Sequence, residues 1–243
     1  MQINDLVVEV IRKKIKNMHL SVLPPNGHIR VSAPLKVTDE AIQLFVLTKY
    51  GWAKQKIREF KVQPRQTIRE YISGESHYFG GERYRLTVMT GAKRNTLIFS
   101  GTELTFNCKT GLTVEQKKIF FDSYYRKKLK EKAAPLIVKW AAEIGVTVND
   151  WQVKDMKTRW GTCNVTARRI WLNLNLAKKS KECLEYIIVH ELCHLIVKNH
   201  GEDFKRLMNK HFPFWREVKK LLNEAPLDFV ADDEEDDDEA ELK

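Results

Sequence analysis

Two histidines and a glutamate in the C-terminal half of the chain have a spacing that can bind a metal ion. His190, Glu191 and His194 form an H-E-x-x-H motif. In a helix, side chains four positions apart lie one turn apart on the same face, so both imidazoles can reach one ion. Glu191 does not share the helix face of the two histidines. It projects beside the metal, where its carboxylate can hold a water molecule instead of binding the ion. This arrangement is typical of metal-dependent hydrolases.

A catalytic zinc site needs a third protein ligand and one open coordination position. His200 is the best candidate, because it follows His194 by six residues and Gly201 lets the chain turn back. The three histidines have the spacing of metzincins, but Val197 stands where metzincins have a glycine. We therefore expect either a helix that continues one turn further or a different turn. The alternative third ligands are Glu202 and His211.

The motif lies in a strongly apolar segment, which favours metal binding over a packing role. Ser180 can cap a helix whose apolar stripe predicts burial. We expect this helix to end near residues 199–201, where Gly201 can adopt a left-handed conformation. Buried imidazoles and a buried carboxylate are costly without partners, and a bound metal would offset that cost. The alternative is a pair of helix histidines that are packed or hydrogen-bonded in a core. Cys193 faces another side of the helix, and we expect it to serve in packing.

The N-terminal half predicts strands and one helix. Residues 3–33 predict strands, two of which form a hairpin with its turn at residues 24–27. Thr38 precedes a helix that runs to about residue 60. Four short strands follow near residues 67–72, 84–90, 96–100 and 104–107. No internal repeat is visible in the sequence.

The C-terminal half predicts a long helix and a strand before the motif. Thr113 and Gln116 form a capping box for a helix that is interrupted or kinked at Pro135 and stops at Gly145. Residues 170–176 alternate between apolar and polar side chains, which is typical of a strand with one buried face.

Composition narrows the class of protein. The chain has 243 residues, of which 43% are hydrophobic, so it can bury a sizeable core. It has no apolar run of about 18 residues and no N-terminal secretory pattern, so neither a transmembrane helix nor a signal peptide is expected. The four cysteines form no C-x-x-C pair. We therefore expect reduced thiols and a cytoplasmic location.

The charge is distributed unevenly. Residues 228–243 hold ten of the 32 acidic residues and one of the 42 basic residues, so the net charge of +10 divides into −9 for this tail and +19 for the rest. The basic body suggests attraction to polyanions, including non-specific binding of nucleic acid. The alternative is a solvated, soluble surface. The acidic tail is expected to be disordered.

Several further stretches resemble one protein family, the YgjP-like metallopeptidases, which are predicted metal-dependent hydrolases related to SprT-like and WLM zincins. Residues 159–163 are close to the family pattern R-W-G-S-C, with Thr162 in place of the serine. Residues 172–176 and 186–201 also match, together with Phe204. In the N-terminal half the matching residues are 12–17, 31–34 and Trp52. The resemblance covers most of the chain up to about residue 224 and leaves out the acidic tail.

The resemblance implies a zincin-like catalytic half that binds one zinc ion through His190, His194 and His200, with Glu191 as the general base. Four further residues are candidates for the substrate cleft. These are Arg159, Trp160, Asn173 and Asn175. Arg159 would bind a carboxylate or the oxyanion, but a structural role in a tight turn is the simpler interpretation for Arg159 and Trp160. The strand at residues 170–176, or a neighbouring strand, would pair with an extended substrate.

Together these observations predict an α+β protein in which the active-site helix packs on a mixed sheet. We expect a β-rich N-terminal region with one long helix (residues 1–110), a zincin-like region (residues 111–226) and an acidic tail (residues 227–243). The expected function is zinc-dependent hydrolysis of peptide bonds in a peptide or protein substrate. The alternatives are hydrolysis of a non-peptide amide or ester, a module associated with nucleic acid or DNA-bound proteins, and a fold that is only stabilised by zinc.

Overall fold

The structure is a computed structural model that describes residues 1–23, 27–62, 69–156 and 159–224. Contacts within the chain divide it into two units, Met1–Arg65 and Gln66–Lys243. The acidic tail predicted for residues 227–243 lies outside the described residues. Among the helices of the described residues, none has both the length and the apolar character needed to span a membrane. The cytoplasmic location stays a prediction.

The first unit consists of a four-stranded sheet and two helices. Its strands are β1 (Gln2–Ile3), β2 (Leu6–Lys13), β3 (His19–Leu23) and β4 (His28–Pro34), and its helices are α1 (Asp39–Thr48) and α2 (Tyr50–Val62). The strand order is β1-β2-β4-β3, with β2 and β4 parallel and both outer pairs antiparallel. The single helix predicted after Thr38 is instead two helices that meet at Lys49. Residues 24–26 of the predicted hairpin turn lie outside the described residues.

The second unit begins with a sheet of the same topology. Its strands are β5 (Ser76–Phe79), β6 (Glu82–Thr90), β7 (Thr96–Ser100) and β8 (Glu103–Cys108). Their order is β5-β6-β8-β7, again with a parallel central pair between two antiparallel pairs. Each of the two sheets is followed by a helix that a threonine caps. The two four-stranded sheets thus form a structural repeat, although no repeat is visible in the sequence. The second sheet lies within residues 1–110, which the sequence predicts as one N-terminal region.

The prediction of a strand near residues 67–72 is wrong for residues 69–72, which form no strand. Residues 67 and 68 lie outside the described residues. The first strand of the second sheet is β5, which begins at Ser76. The carboxylate of Glu75 accepts hydrogen bonds from the backbone N–H groups of Glu70 and Tyr71, at 2.8 and 3.1 Å. Such local bonds compete with strand pairing.

A single long helix, α3 (Val114–Ile144), supports the second unit. The capping box predicted for Thr113 and Gln116 is confirmed, with both reciprocal hydrogen bonds present. The helix continues through Pro135 and ends at Gly145, whose φ of 81° is left-handed as predicted. Its buried face includes Phe121, Tyr125, Leu129, Ala133, Leu136, Ile137 and Trp140. These side chains join the core that also contains the helix carrying the H-E-x-x-H motif.

The third sheet leads directly to the motif. Its strands are β9 (Asp150–Lys154), β10 (Gly161–Asn164) and β11 (Arg169–Asn173), in the order β10-β11-β9, with β9 parallel and β10 antiparallel to β11. The strand predicted for residues 170–176 ends early, because the side chain of Asn173 accepts the N–H of Asn175 at 3.0 Å and begins a 3₁₀ helix, Leu174–Lys178.

Three helices complete the second unit. They are α4 (Lys181–Cys193), α5 (Glu202–His211) and α6 (Trp215–Glu224). Ser180 caps α4 as predicted. Ten of the thirteen residues of α4 are buried. This helix contacts α3, α5 and α6 as well as β10 and β11. The described residues therefore form the mixed α+β fold expected from the sequence.

The capping box of α3 gives a test of this architecture. Thr113→Ala removes the hydroxyl that accepts the Gln116 N–H, so we expect a loss of about 1 kcal/mol in the free energy of unfolding. Thr113→Ser keeps a hydroxyl and should retain most of that stability. Urea unfolding followed by circular dichroism measures the difference, and equal stability of the two variants would contradict a role for the cap.

Candidate metal centre

The imidazoles of three histidines converge on one point. Nε2 of His190 lies 3.1 Å from Nε2 of His194 and 3.1 Å from Nε2 of His200. In a tetrahedral site with metal–nitrogen bonds of about 2.0–2.1 Å, two ligand nitrogens lie about 3.3 Å apart. The spacing therefore fits a shared metal ion. Within the described ranges, no other group of three or more His, Cys, Asp or Glu residues has such a geometry.

Three successive pieces of the chain position these rings. His190 lies in the last turn of α4 and is 7% exposed, and His194 forms the C-cap of the same helix. His200 lies in the connection to α5, directly before the N-cap residue Gly201. The buried end of α4 thus holds two rings one turn apart, and the connection returns the third ring to them.

The predicted end of the helix that carries the H-E-x-x-H motif is wrong. The helix α4 ends at Cys193 and not near residues 199–201, because the following N–H groups turn back to the carbonyls of Leu192 and Cys193 in a tight final turn. Gly201 is not left-handed either, since its φ of −64° and ψ of −170° are extended. The glycine therefore acts as an N-cap for α5 and does not stop α4.

The backbone of Val197 orients one of the rings. Nδ1 of His194 lies 3.2 Å from the Val197 carbonyl oxygen. Because a carbonyl only accepts hydrogen bonds, Nδ1 carries the proton and the lone pair of Nε2 points into the cluster. Such a contact fixes both the tautomer and the ring orientation of a metal-binding histidine. In the sequence, Val197 stands out only as a departure from the metzincin spacing, which does not indicate this role.

An aromatic side chain of α5 packs against all three histidines. The ring centroid of Phe204 lies 4.9 Å from His190, 4.7 Å from His194 and 4.8 Å from His200. Phe204 is buried and forms an apolar wall on one side of the cluster. In the sequence, Phe204 is notable as part of the family resemblance. The position of Phe204 in the first turn of an amphipathic helix after His200 is the signal that indicates this contact.

Glu191 is also buried, at 2% exposed, but its carboxylate is not among the converging ligand atoms. Burial raises the pKa of the Cys163 thiol in the third sheet to about 11, and the nearby Glu191 carboxylate contributes to this increase. Cys193 is fully buried in the core, and burial raises the pKa of its thiol to about 12. This environment is that of a packing residue, as expected for Cys193.

Of the four candidate cleft residues, Arg159 and Trp160 lie before β10, whereas Asn173 ends β11 and Asn175 lies in the following 3₁₀ helix. Arg159 is exposed, whereas Trp160 is buried in the core, with Nζ of Lys179 5.3 Å from its ring centroid. Asn173 is fully buried, and Asn175 accepts a hydrogen bond from Nζ of Lys178 at 2.8 Å. None of the four belongs to the histidine cluster, and their contact with substrate stays a prediction.

The two alternative third ligands also lie outside the cluster. Glu202 is exposed and forms an ion pair of 3.2 Å with Lys205. His211 is buried at the other end of α5. The geometry therefore favours His200 as the third residue of the set.

The cluster predicts how the metal content of the protein responds to substitution. His190→Ala, His194→Ala and His200→Ala should each lose most of the bound metal, because two imidazoles leave a catalytic-type site short of a ligand. Glu202→Ala and His211→Ala are controls and should retain about one ion per chain. Mass spectrometry of the purified proteins measures the content. Full metal in His200→Ala together with loss in Glu202→Ala would identify a different third ligand.

Comparison with known proteins adds an independent observation. A family model described as the YgjP-like metallopeptidase domain matches residues 16–225. No curated protein matches the chain significantly. Among solved structures, the metallopeptidase zymogen abylysin of Pyrococcus abyssi is 20% identical, with a TM-score of 0.37 and coverage of 41% of this chain and 98% of that chain. The metallopeptidase zymogen jannalysin of Methanocaldococcus jannaschii is 22% identical, with a TM-score of 0.34 and coverage of 37% and 93%.

These structural likenesses are too low to support an argument, so the assignment depends on the family model. That model extends from the first unit through the histidine cluster to the end of α6. The chain therefore belongs to the YgjP-like metallopeptidase family and is a metal-dependent hydrolase.

Proposed function

We propose that this protein is a zinc-dependent peptidase with a zincin-like active site. His190, His194 and His200 bind the zinc ion, and Glu191 is the general base. The observation that supports this function is the convergence of three imidazoles, in which Nε2 of His190 lies 3.1 Å from Nε2 of both His194 and His200, with the buried Glu191 next to His190 in the same helix. Family membership supports a peptide or protein substrate.

The donor set supports zinc as the metal. Three imidazoles with one open position form a common ligand arrangement of catalytic zinc sites. A site that is only structural would need a fourth protein ligand, and none lies in the cluster among the described residues. Zinc bound there would supply Lewis acidity, which lowers the pKa of water and polarises a carbonyl group.

Glu191 carries the proton during hydrolysis. Its carboxylate accepts a proton from the water whose oxygen attacks the carbonyl carbon of the substrate. The bond between that carbon and the amide nitrogen then breaks, and Glu191 donates the same proton to the leaving amine. The burial of Glu191 supports this role, because a carboxylate screened from bulk water keeps its proton within the site.

The outer edge of β10 is the proposed binding site for the substrate backbone. The Asn173 N–H donates to the Trp160 carbonyl at 2.9 Å, which makes these two residues a hydrogen-bonded pair. Because such pairs alternate in an antiparallel ladder, the N–H and C=O of Cys163 point away from β11. No described strand pairs with this edge. An extended peptide can therefore add to the sheet beside the helix that carries Glu191.

Neither alternative function gains support from the structure. The non-peptide amide or ester substrate is less consistent with membership in a metallopeptidase family. The nucleic-acid-associated module depended on the basic net charge and on the resemblance to SprT-like proteins, whereas the matching family model describes a metallopeptidase domain.

The role of the base is tested with a substitution that keeps its size. Glu191→Gln cannot accept the proton of water, so we expect hydrolysis of a denatured protein substrate to fall about 10²-fold or more. Zinc content and thermal unfolding should stay unchanged. Glu182→Gln, the same substitution in the exposed first turn of α4, is the matched control and should keep full activity. Wild-type rates in Glu191→Gln would remove Glu191 from the mechanism.

The proposed substrate edge is tested with peptides that carry one N-methylated amide. A methyl group at the amide that bonds the carbonyl of Cys163 removes one backbone hydrogen bond, so kcat/KM should fall by up to about tenfold. Methylation at a distant end of the same peptide is the control. If kcat/KM is insensitive to methylation at every position near the cleaved bond, the substrate does not bind by strand addition.

A further inference from the structure

The glycine that begins β10 lies directly against the side chain of Glu191. An ideal Cβ placed on Gly161 would lie 2.8 Å from both Cγ and Cδ of Glu191 and closer still to Oε1. Carbon atoms in van der Waals contact are about 3.5–4.0 Å apart, so the space that a side chain at position 161 would need is occupied by Glu191. We propose that Gly161 is a positioning residue, whose missing side chain forms the niche that holds the Glu191 carboxylate.

Space, and not backbone conformation, is the reason for a glycine at this position. Gly161 is absent from the positive-φ glycines of the described residues, so its backbone conformation is open to other residues. A glycine inside a strand weakens the strand and often marks a close approach of another group. Here the approaching group is the carboxylate that the proposed function identifies as the base.

The backbone of Gly161 is held in place from the side of β11. The Asn173 N–H donates to the Trp160 carbonyl at 2.9 Å, and the Asn173 side-chain amide donates to the Arg159 carbonyl at 2.6 Å. Asn173 is fully buried, so water cannot replace these bonds. The peptide before Gly161 is therefore anchored, and a methyl group at position 161 would displace the flexible end of Glu191 and not the strand.

The neighbouring residue on the same face supports this contact. Side chains at positions 161 and 163 of a strand point to the same side of the sheet. The Cys163 thiol is half-buried and lies within the electrostatic reach of Glu191. The face of β10 that contacts α4 thus consists of a position without a side chain next to a small thiol, and both leave room for the carboxylate.

The test is Gly161→Ala in the full-length zinc-loaded protein, and it rests on the proposed role of Glu191. A displacement of the base by about 1 Å costs on the order of 10²-fold in rate, so kcat should fall about 100-fold. KM should change less than about threefold, because the substrate edge is intact. Zinc content should match the wild type. A crystal structure of the variant should show the Glu191 side chain in a different rotamer.

Gly51→Ala is the matched control, because nothing lies within 4 Å of its added Cβ and its φ is not left-handed. It should keep wild-type kcat. A wild-type kcat in Gly161→Ala, or an unmoved Glu191 side chain, would overturn the inference.

A double variant separates positioning of the base from general damage. Glu191→Gln keeps the size of the side chain but removes the base, so adding Gly161→Ala to it should change the remaining rate less than about threefold. A second 100-fold loss in that background would show that Gly161 acts independently of Glu191 and would overturn the inference. Wild-type activity of Glu191→Gln alone would instead contradict the proposed function.

If Gly161→Ala unfolds, the double variant Gly161→Ala/Glu191→Asp tests whether the added methyl group clashes with Glu191. Its carboxylate is one methylene shorter and leaves room for the methyl group, so the thermal unfolding temperature should recover relative to Gly161→Ala. A double variant as unstable as Gly161→Ala would place the clash elsewhere and overturn the inference.

Discussion

The burial of polar groups at the end of an apolar helix is the constraint on which the rest of the second unit depends. His190 and Glu191 are almost fully buried, and their helix neighbours Ile188, Val189, Leu192 and Cys193 are completely so. An imidazole or a carboxylate in such surroundings is costly unless it has partners. Partners of His190 include His194 at the end of the same helix, His200 in the following connection and Phe204 in α5.

The histidine cluster requires that the helix stop where it does. A helix that continued to His200 would carry this residue about 15 Å along the axis from His190, because each residue adds about 1.5 Å. The tight turn after Cys193 prevents this and brings His200 back to 3.1 Å from His190. The same turn places the Val197 carbonyl against His194 and so fixes which nitrogen faces the cluster. The turn after Cys193 thus determines both the position of His200 in the cluster and the tautomer of His194.

The sheet beside α4 is equally constrained. Its edge strand lies so close to the helix that position 161 has no room for a side chain. Asn173, which the sequence analysis assigned to the cleft, holds the backbone before this glycine through two bonds to carbonyl groups. The segment at residues 159–163 that carries the family resemblance therefore contains the contact between sheet and helix, and the polar end of β11 stabilises it.

Features that depend on neighbours within about four residues could be predicted from the sequence alone. The cap of α3 at Thr113, the cap of α4 at Ser180 and the one-turn spacing of the H-E-x-x-H motif are of this kind, since each is a hydrogen bond or a rotation within one helical turn. The convergence of His200 on the two motif histidines, the early end of β11 at Asn173 and the approach of Gly161 to Glu191 were decided only by the tertiary structure. The shared topology of the two four-stranded sheets belongs with them. Each of these depends on groups far apart in the chain, whose contacts no local pattern of residues records.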